Sequence, residues 1–154
     1  MKNLNLSHYL IATIFTVSLV APCTTQLAFA GAEDKPSVNL PVTQLKYFET
    51  GVGPLQAAPA YGDLAHGAHG TFIKMPAGYV SPIHNHTEEY YAVVISGVGA
   101  NGTPGSEDVP LPVGSYWYQR GGENHVTKCI SSNECIFFIS QPGKFDEVVN
   151  DQKK

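Results

Sequence analysis

Residues 78–97 read GYVSPIHNHTEEYYAVVISG, and this stretch decides how the rest of the chain is interpreted. It contains the pair His84-Asn85-His86, followed at 90–95 by an aromatic and β-branched run that is typical of a strand. Alternate side chains of a strand project from one face, so both histidines are expected to point the same way. Such a pair can bind a metal ion, although two solvated histidines on an exposed strand would give the same pattern.

A second stretch offers a third imidazole. Residues 114–129 read GSYWYQRGGENHVTKC, in which His125 follows the turn-forming pair Gly121-Gly122. Because a glycine turn can bring the next strand beside an earlier one, we expect His125 to approach the first two histidines. The sequence therefore predicts a set of three histidines, His84, His86 and His125, around one metal ion.

The remaining chain favours an all-β fold. Short runs rich in β-branched or aromatic residues predict strands at 45–48, 71–75, 90–95, 115–119, 125–129 and 135–139. Gly, Pro and Asn separate them, including a predicted turn at 97–104. No long helical period is present, and only 145–150 could form a short terminal helix. Many short strands at regular spacing indicate a sandwich or barrel.

The spacing of the two stretches resembles the paired motifs of the cupin superfamily. Its first motif is Gly, five residues, His-x-His, three or four residues, Glu, six residues and Gly, and Gly78 and Gly97 frame the His pair at matching places. Its second motif begins at Gly114 and reaches His125. The resemblance implies a single jelly-roll barrel, the double-stranded β-helix. It also implies one divalent metal ion, zinc, iron, manganese or nickel, held near one mouth.

The sequence departs from these motifs at the position of the usual glutamate ligand, which is Tyr90. A phenol with a pKa of about 10 is a poor replacement for a carboxylate. Glu88 shares strand parity with the two histidines and is the better-placed substitute, although a solvated position at the barrel rim is slightly favoured for it. Together with Gln119, these two side chains are candidate contacts of the metal or of a bound ligand. A three-histidine site is preferred.

Residues 69–135 also resemble one group of bacterial, often exported cupins that carry a domain-of-unknown-function label. The likeness rests on His69-Gly70-Thr71-Phe72 and on residues 90–97, 114–117 and 123–127. The group is related in outline to the cupin domains of anti-sigma factors, and tyrosine commonly replaces the metal glutamate in it. The resemblance implies the fold and the metal site but no particular reaction. Because cupin barrels often pair through exposed sheet edges, it also leads us to expect a homodimer.

The N-terminal residues 1–30 are predicted to be a signal peptide. Lys2 precedes an apolar stretch at 9–21 that is shorter than the roughly 20 residues of a membrane span, and Ala28-Phe29-Ala30 fits a signal-peptidase site. A retained membrane anchor and a lipoprotein attached at Cys23 are the alternatives. Residues 31–42 are predicted to be a flexible leader and 43–150 the cupin domain, without membrane contact after processing.

Export predicts an oxidising compartment, most simply a bacterial periplasm. Cys129 and Cys135 flank a polar hairpin tip, and paired thiols persist as disulfides after export, so the leading interpretation is a bond between them. Two free thiols are the alternative. The formal charge of −4 and the lack of a basic patch argue against a nucleic-acid partner.

Three neutral imidazoles would leave a divalent metal with its full charge and open coordination positions. Such a centre can acidify a bound water or polarise a carbonyl, which suggests a metal-dependent enzyme acting on a small oxygen-bearing molecule. A non-catalytic module that binds a small ligand or senses a metal is the second hypothesis, and a cupin that has lost its metal is the third. All three stay open at the level of sequence, because one fold hosts unrelated chemistries.

Overall fold

The computed structural model describes residues 36–150. The predicted signal peptide at 1–30, its cleavage site, Cys23 and the first part of the predicted leader lie outside the described residues. One short 3₁₀ helix, Val42–Gln44, precedes ten strands. These are β1 (Phe48–Glu49), β2 (Gln56–Gly62), β3 (His69–Met75), β4 (His84–Asn85), β5 (Tyr90–Ser96), β6 (Gly99–Gly102), β7 (Tyr116–Gln119), β8 (Val126–Cys129), β9 (Cys135–Gln141) and β10 (Val148–Val149).

The prediction of an all-β fold is confirmed, because the described residues contain no α-helix. Six strands form one antiparallel sheet in the order β1-β2-β3-β9-β5-β7, while β4 pairs with β10 and β6 pairs with β8. Along β9, Cys135, Phe137 and Ile139 are buried and alternate with less buried residues. On β5, alternate residues from Tyr90 to Val94 are buried in the same way. The core therefore lies against one face of the six-stranded sheet.

Five of the predicted strands are present as β3, β5, β7, β8 and β9, but other predictions are wrong. The strand predicted at 45–48 shares only Phe48 with β1. The predicted turn at 97–104 contains β6, whose small residues fit where larger ones would not. A Cβ on Gly99 would lie 2.8 Å from the Phe137 ring. The predicted helix at 145–150 is instead an extended segment containing β10.

The β2 strand was missed because its sequence, QAAPAYG, has little intrinsic β preference. Pairing with β3 stabilises it along its length, with a register shift between Pro59 and Tyr61. A proline interrupts a ladder of hydrogen bonds, and an irregularity of this kind accommodates it.

A disulfide joins Cys129 at the end of β8 to Cys135 at the start of β9, as predicted. Both side chains are fully buried, so the bond ties the smaller β6–β8 ladder to the large sheet inside the core. In the described part of the chain, no helix combines the length and apolarity that a membrane span requires.

Candidate metal centre

The three predicted metal ligands come together in the structure. His84 on β4 and His125 form an isolated antiparallel bridge, in which the backbone N–H of each donates to the carbonyl oxygen of the other. His86 follows two residues after His84. All three side chains are buried, with 1–5% of their surface exposed. One ligand atom from each lies within 4.8 Å of the other two, so the cluster could hold a metal ion.

The glycine turn places the second stretch against the first. A Cβ on Gly121 would lie 2.7 Å from the carbonyl oxygen of Thr87, so only glycine allows this approach. Gly122 has a φ of 72° and donates its N–H to the carbonyl oxygen of His86 at 2.8 Å. These contacts hold the loop before His125 beside the loop after His86, as the glycine pair predicted.

Each histidine of the cluster donates from Nδ1 to a backbone carbonyl oxygen. The acceptors are Pro82 for His84 (3.0 Å), Asp146 for His86, and Glu123 for His125 (3.1 Å). Because a carbonyl oxygen only accepts, these bonds place the proton of a neutral imidazole on Nδ1 and leave Nε2 unprotonated, with a lone pair that can accept or ligate. The same arrangement orients metal-binding histidines in proteins generally.

Burial keeps His86 and His125 neutral. The pKa of His86 is lowered to about 4, mainly by desolvation and also by repulsion from His84, although its hydrogen bond to the Asp146 carbonyl acts in the opposite direction. The pKa of His125 is also lowered to about 4, with desolvation again the largest cause. Both imidazoles are therefore uncharged at neutral pH, which is the state that binds a metal.

Two hydroxyl groups of the described residues contact the cluster. That of Ser81 lies 3.3 Å from Nδ1 of His84, and the second belongs to Tyr90. Its hydroxyl lies 3.4 Å from Nε2 of His125 and accepts a hydrogen bond from Nε1 of Trp117 at 3.2 Å. Burial raises its pKa to about 12. The phenol is therefore a neutral group at the place where the cupin motif has a carboxylate.

The other two candidate contacts lie elsewhere. Glu88 is exposed and packs beside Gly143. It does not share the side of the two histidines, because strand β4 ends at Asn85 and the alternation of side chains does not continue to position 88. Gln119 is buried, but its amide is used within the protein: it accepts from Asn101 and donates to the carbonyl oxygens of Arg120 and Glu123. Neither side chain lines the cavity beside the histidines.

That cavity has a volume of about 50 Å³. A single water needs roughly 10–15 Å³ on this measure, so there is room for a metal ion with a few waters or one small ligand group. Most of the wall is apolar, including Trp117, Phe137 and Phe145. The polar members of the wall are Ser81, His84, His86, Tyr90, Thr127 and Glu147.

Residues 145–150, which we call the C-terminal strap, were not predicted to belong to the site. Val148 and Val149 pair with Asn85 and His84. Asp146 supplies the carbonyl acceptor of His86, and its carboxylate accepts from the backbone N–H of Thr87 at 2.9 Å and from the Thr87 hydroxyl at 2.5 Å.

The strap also places Glu147 in the cavity wall. Desolvation raises the pKa of this carboxyl, while His84 acts in the opposite direction. No sequence signal identified Glu147, because it lies beyond the second motif in a segment that reaches the site through long-range contacts.

Residues 50–153 match the family described as a domain of unknown function, DUF4437. The chain belongs to this family. The predicted resemblance to cupins with that label is thereby confirmed, and no curated protein sequence matches the chain.

Solved structures show that the fold is a cupin barrel. An RmlC-like cupin protein from Ralstonia eutropha JMP134 is 19% identical with a TM-score of 0.57, over 70% of this chain and 69% of that one. The polyketide cyclase RemF from Streptomyces resistomycificus is 18% identical with a TM-score of 0.60, over 77% and 88%. The DMSP lyase DddQ from Ruegeria pomeroyi DSS-3 is 14% identical with a TM-score of 0.57, over 73% of this chain but only 64% of the lyase.

Proposed function

We propose that this DUF4437 cupin binds one divalent metal ion through His84, His86 and His125 and acts as a metal-dependent enzyme on a small oxygen-bearing molecule. The observation that carries the proposal is the set of three Nδ1–H bonds to backbone carbonyls. They fix the tautomer, so that all three Nε2 atoms in the buried cluster are unprotonated; those of His84 and His86 have no partner among the described residues, and that of His125 has only the Tyr90 hydroxyl at 3.4 Å. Imidazole ligands suit zinc, iron and nickel, while manganese more often takes carboxylates.

Three neutral ligands would leave the metal its full positive charge, with which it can acidify a bound water or polarise a carbonyl. The chain supplies a small, mostly apolar cavity that limits the number of waters. The neutral phenol of Tyr90 accepts from Trp117, and its own hydrogen faces Nε2 of His125. If a metal ion took that Nε2 lone pair, the phenol could donate instead to an oxygen beside the cluster. Two of the structural neighbours are enzymes by name, a cyclase and a lyase, which supports a catalytic role.

The buried disulfide supports the proposal that the protein works after export, since paired thiols persist in oxidising compartments such as the bacterial periplasm.

A non-catalytic module that binds a small ligand or senses a metal is the second candidate. It is favoured by Tyr90, whose pKa of about 12 prevents it from serving as a base at neutral pH, and by the position of Glu88 outside the cavity. Turnover separates the two candidates: an enzyme consumes a compound only when metal is present, whereas a binding module releases the compound unchanged.

Metal analysis of the purified, chelator-treated and reloaded full chain tests the site. We expect one bound metal ion per chain and loss of most of the affinity in His125→Ala, because two remaining imidazoles leave an incomplete set of ligands. His66→Ala is the matched control, since this exposed histidine pairs only with Asp63 among the described residues. Glu88→Gln should also keep its metal. Full metal content in His125→Ala would refute the three-histidine site.

A further inference from the structure

Among the residues that the structure describes, Glu147 is the acidic residue in the wall of the cavity beside the histidines. Within residues 36–150, the other members of the cavity wall are apolar, neutral polar or histidine side chains. A carboxylate in such a wall is costly unless it faces a positive charge or a hydrogen-bond donor. If the charge had no function at position 147, an apolar residue there would make the protein more stable.

The strap fixes where this carboxylate points. Val149 lies directly opposite His84 in the antiparallel β4–β10 pair. Glu147 comes just before this pair and lines the same cavity wall as His84. The carboxyl is close enough to His84 for that histidine to act on its pKa.

Both ends of the strap are held against the histidine loop. Asp146 is bonded to Thr87 through its carboxylate, and the backbone N–H of Asn150 donates to the carbonyl oxygen of Ile83 at 2.9 Å. The Asn150 amide also donates to Asn124 at 2.7 Å, one residue before His125. Glu147 therefore cannot leave the cavity wall without breaking bonds on both sides of it.

Glu147 is not a member of the compact ligand group, whose atoms lie within 4.8 Å of one another and come from histidines alone. Its position in the wall suits contact with whatever occupies the open side of the metal. A negative carboxylate at this place attracts a ligand that carries a donor hydrogen, such as water or a hydroxyl group, and repels an anion.

We propose that Glu147 accepts a hydrogen bond from the ligand on the open side of the metal, so that the site selects water and neutral hydroxyl compounds over anions. This inference rests on the three-histidine metal site proposed above. It narrows the substrate class from small oxygen-bearing molecules in general to neutral ones that carry a hydroxyl group.

The test measures azide binding to the cobalt(II)-loaded full chain by visible absorption at about pH 8, where carboxyl groups are ordinarily ionised. Glu147→Gln removes the charge but keeps the size of the side chain. We expect this variant to bind azide about tenfold or more tightly than the wild type, because the repulsion is removed in a poorly solvated cavity. Its cobalt stoichiometry should stay at one per chain.

Glu88→Gln is the matched control, since it removes the same charge from an exposed glutamate near the strap but outside the cavity, and its azide affinity should not change. If Glu147→Gln folds poorly, Glu147→Leu provides the same comparison with an apolar side chain. Equal azide affinity in wild type and a folded Glu147 variant would overturn the inference while leaving the metal site intact. Loss of cobalt in Glu147→Gln would overturn it too, by making Glu147 a metal ligand. A wild type that binds no cobalt would defeat the proposed function and this inference with it.

Discussion

The barrel buries histidines in two different ways. His69 on β3 is fully buried and uses both ring nitrogens: Nδ1 lies 2.9 Å from the hydroxyl of Thr71, and Nε2 lies 3.2 Å from the side-chain oxygen of Gln141. The three histidines of the candidate metal centre are buried almost as deeply. Each of them uses Nδ1 in a bond to a backbone carbonyl. Among the described residues nothing bonds Nε2 of His84 or His86, and Nε2 of His125 has only the hydroxyl of Tyr90, at 3.4 Å.

The hydrogen-bond network around His69 is complete. The amide nitrogen of Gln141 donates to the carbonyl oxygen of Glu88 at 3.4 Å, so its oxygen is left to accept from Nε2 of His69. Nδ1 must then accept from Thr71, because a neutral imidazole has only one N–H. A metal ion would have to break this network in order to bind His69. Available lone pairs, and not burial or the number of histidines, therefore distinguish a metal site from a structural histidine.

The largest expected effect separates these two roles. Replacing His69 with Ala leaves Thr71 and Gln141 without their partner and opens a cavity, so the free energy of unfolding of the metal-free protein should fall by about 3 kcal/mol. The folded fraction should still bind one metal ion per chain. Denaturant unfolding in the presence of chelator, together with metal analysis, measures both quantities.

His86→Ala should show the reverse pattern, with most of the metal affinity lost and a smaller change in the stability of the metal-free protein. The exposed His66→Ala should change stability by less than about 0.5 kcal/mol. The distinction between the two classes fails if His69→Ala loses metal while remaining folded.

The central part of the site was predictable from sequence. Two histidines two residues apart on an extended segment must share a side, and a double glycine before His125 allows the close approach that the structure shows at Thr87. The strong strand patterns of β5 and β9 were equally clear, because their β-branched and aromatic residues alternate into one core. These features could be predicted because each is encoded by a pattern within a short stretch of sequence.

The missing parts depend on contacts between distant segments. A short helix was considered possible for the strap because nothing in residues 145–150 indicates their pairing with β4, which lies some sixty residues earlier in the chain. Glu88 was placed by extending strand parity past His86, where the chain turns away. Strand β2 can be recognised only from its pairing with β3, which its own sequence does not indicate. Tertiary pairing overrides local preference at each of these positions.

The next expected effect is a dependence of stability on pH. In the folded protein the pKa of His86 and of His125 is about 4, below the ordinary value of about 6.5 in the unfolded chain. The unfolded chain therefore binds more protons between these values. The free energy of unfolding therefore has its full value above pH 6.5. It decreases as the pH falls toward 4, by roughly 1 kcal/mol per pH unit for each histidine.

His69 contributes in the same direction, because burial lowers its pKa as well. The free energy of unfolding of the metal-free protein should therefore fall less steeply between pH 7.5 and pH 4 in His86→Ala than in the wild type. Parallel curves for the two proteins would show that His86 is not held neutral by burial.

The smallest expected effect concerns Tyr90, a polar group that contacts the cluster at Nε2 of His125. Tyr90→Phe removes the acceptor of the Trp117 N–H in a buried place, which should lower the free energy of unfolding by about 1 kcal/mol. Tyr91→Phe is the control, because its exposed hydroxyl bonds only to Glu89 and should contribute almost nothing. Metal content should stay close to one ion per chain in both variants. A phenol whose pKa is raised to about 12 binds a metal only after losing a proton that its surroundings strongly retain. Loss of metal in Tyr90→Phe, with the fold intact, would mean that the metal itself removes that proton and that Tyr90 ligates in the place of the motif's glutamate.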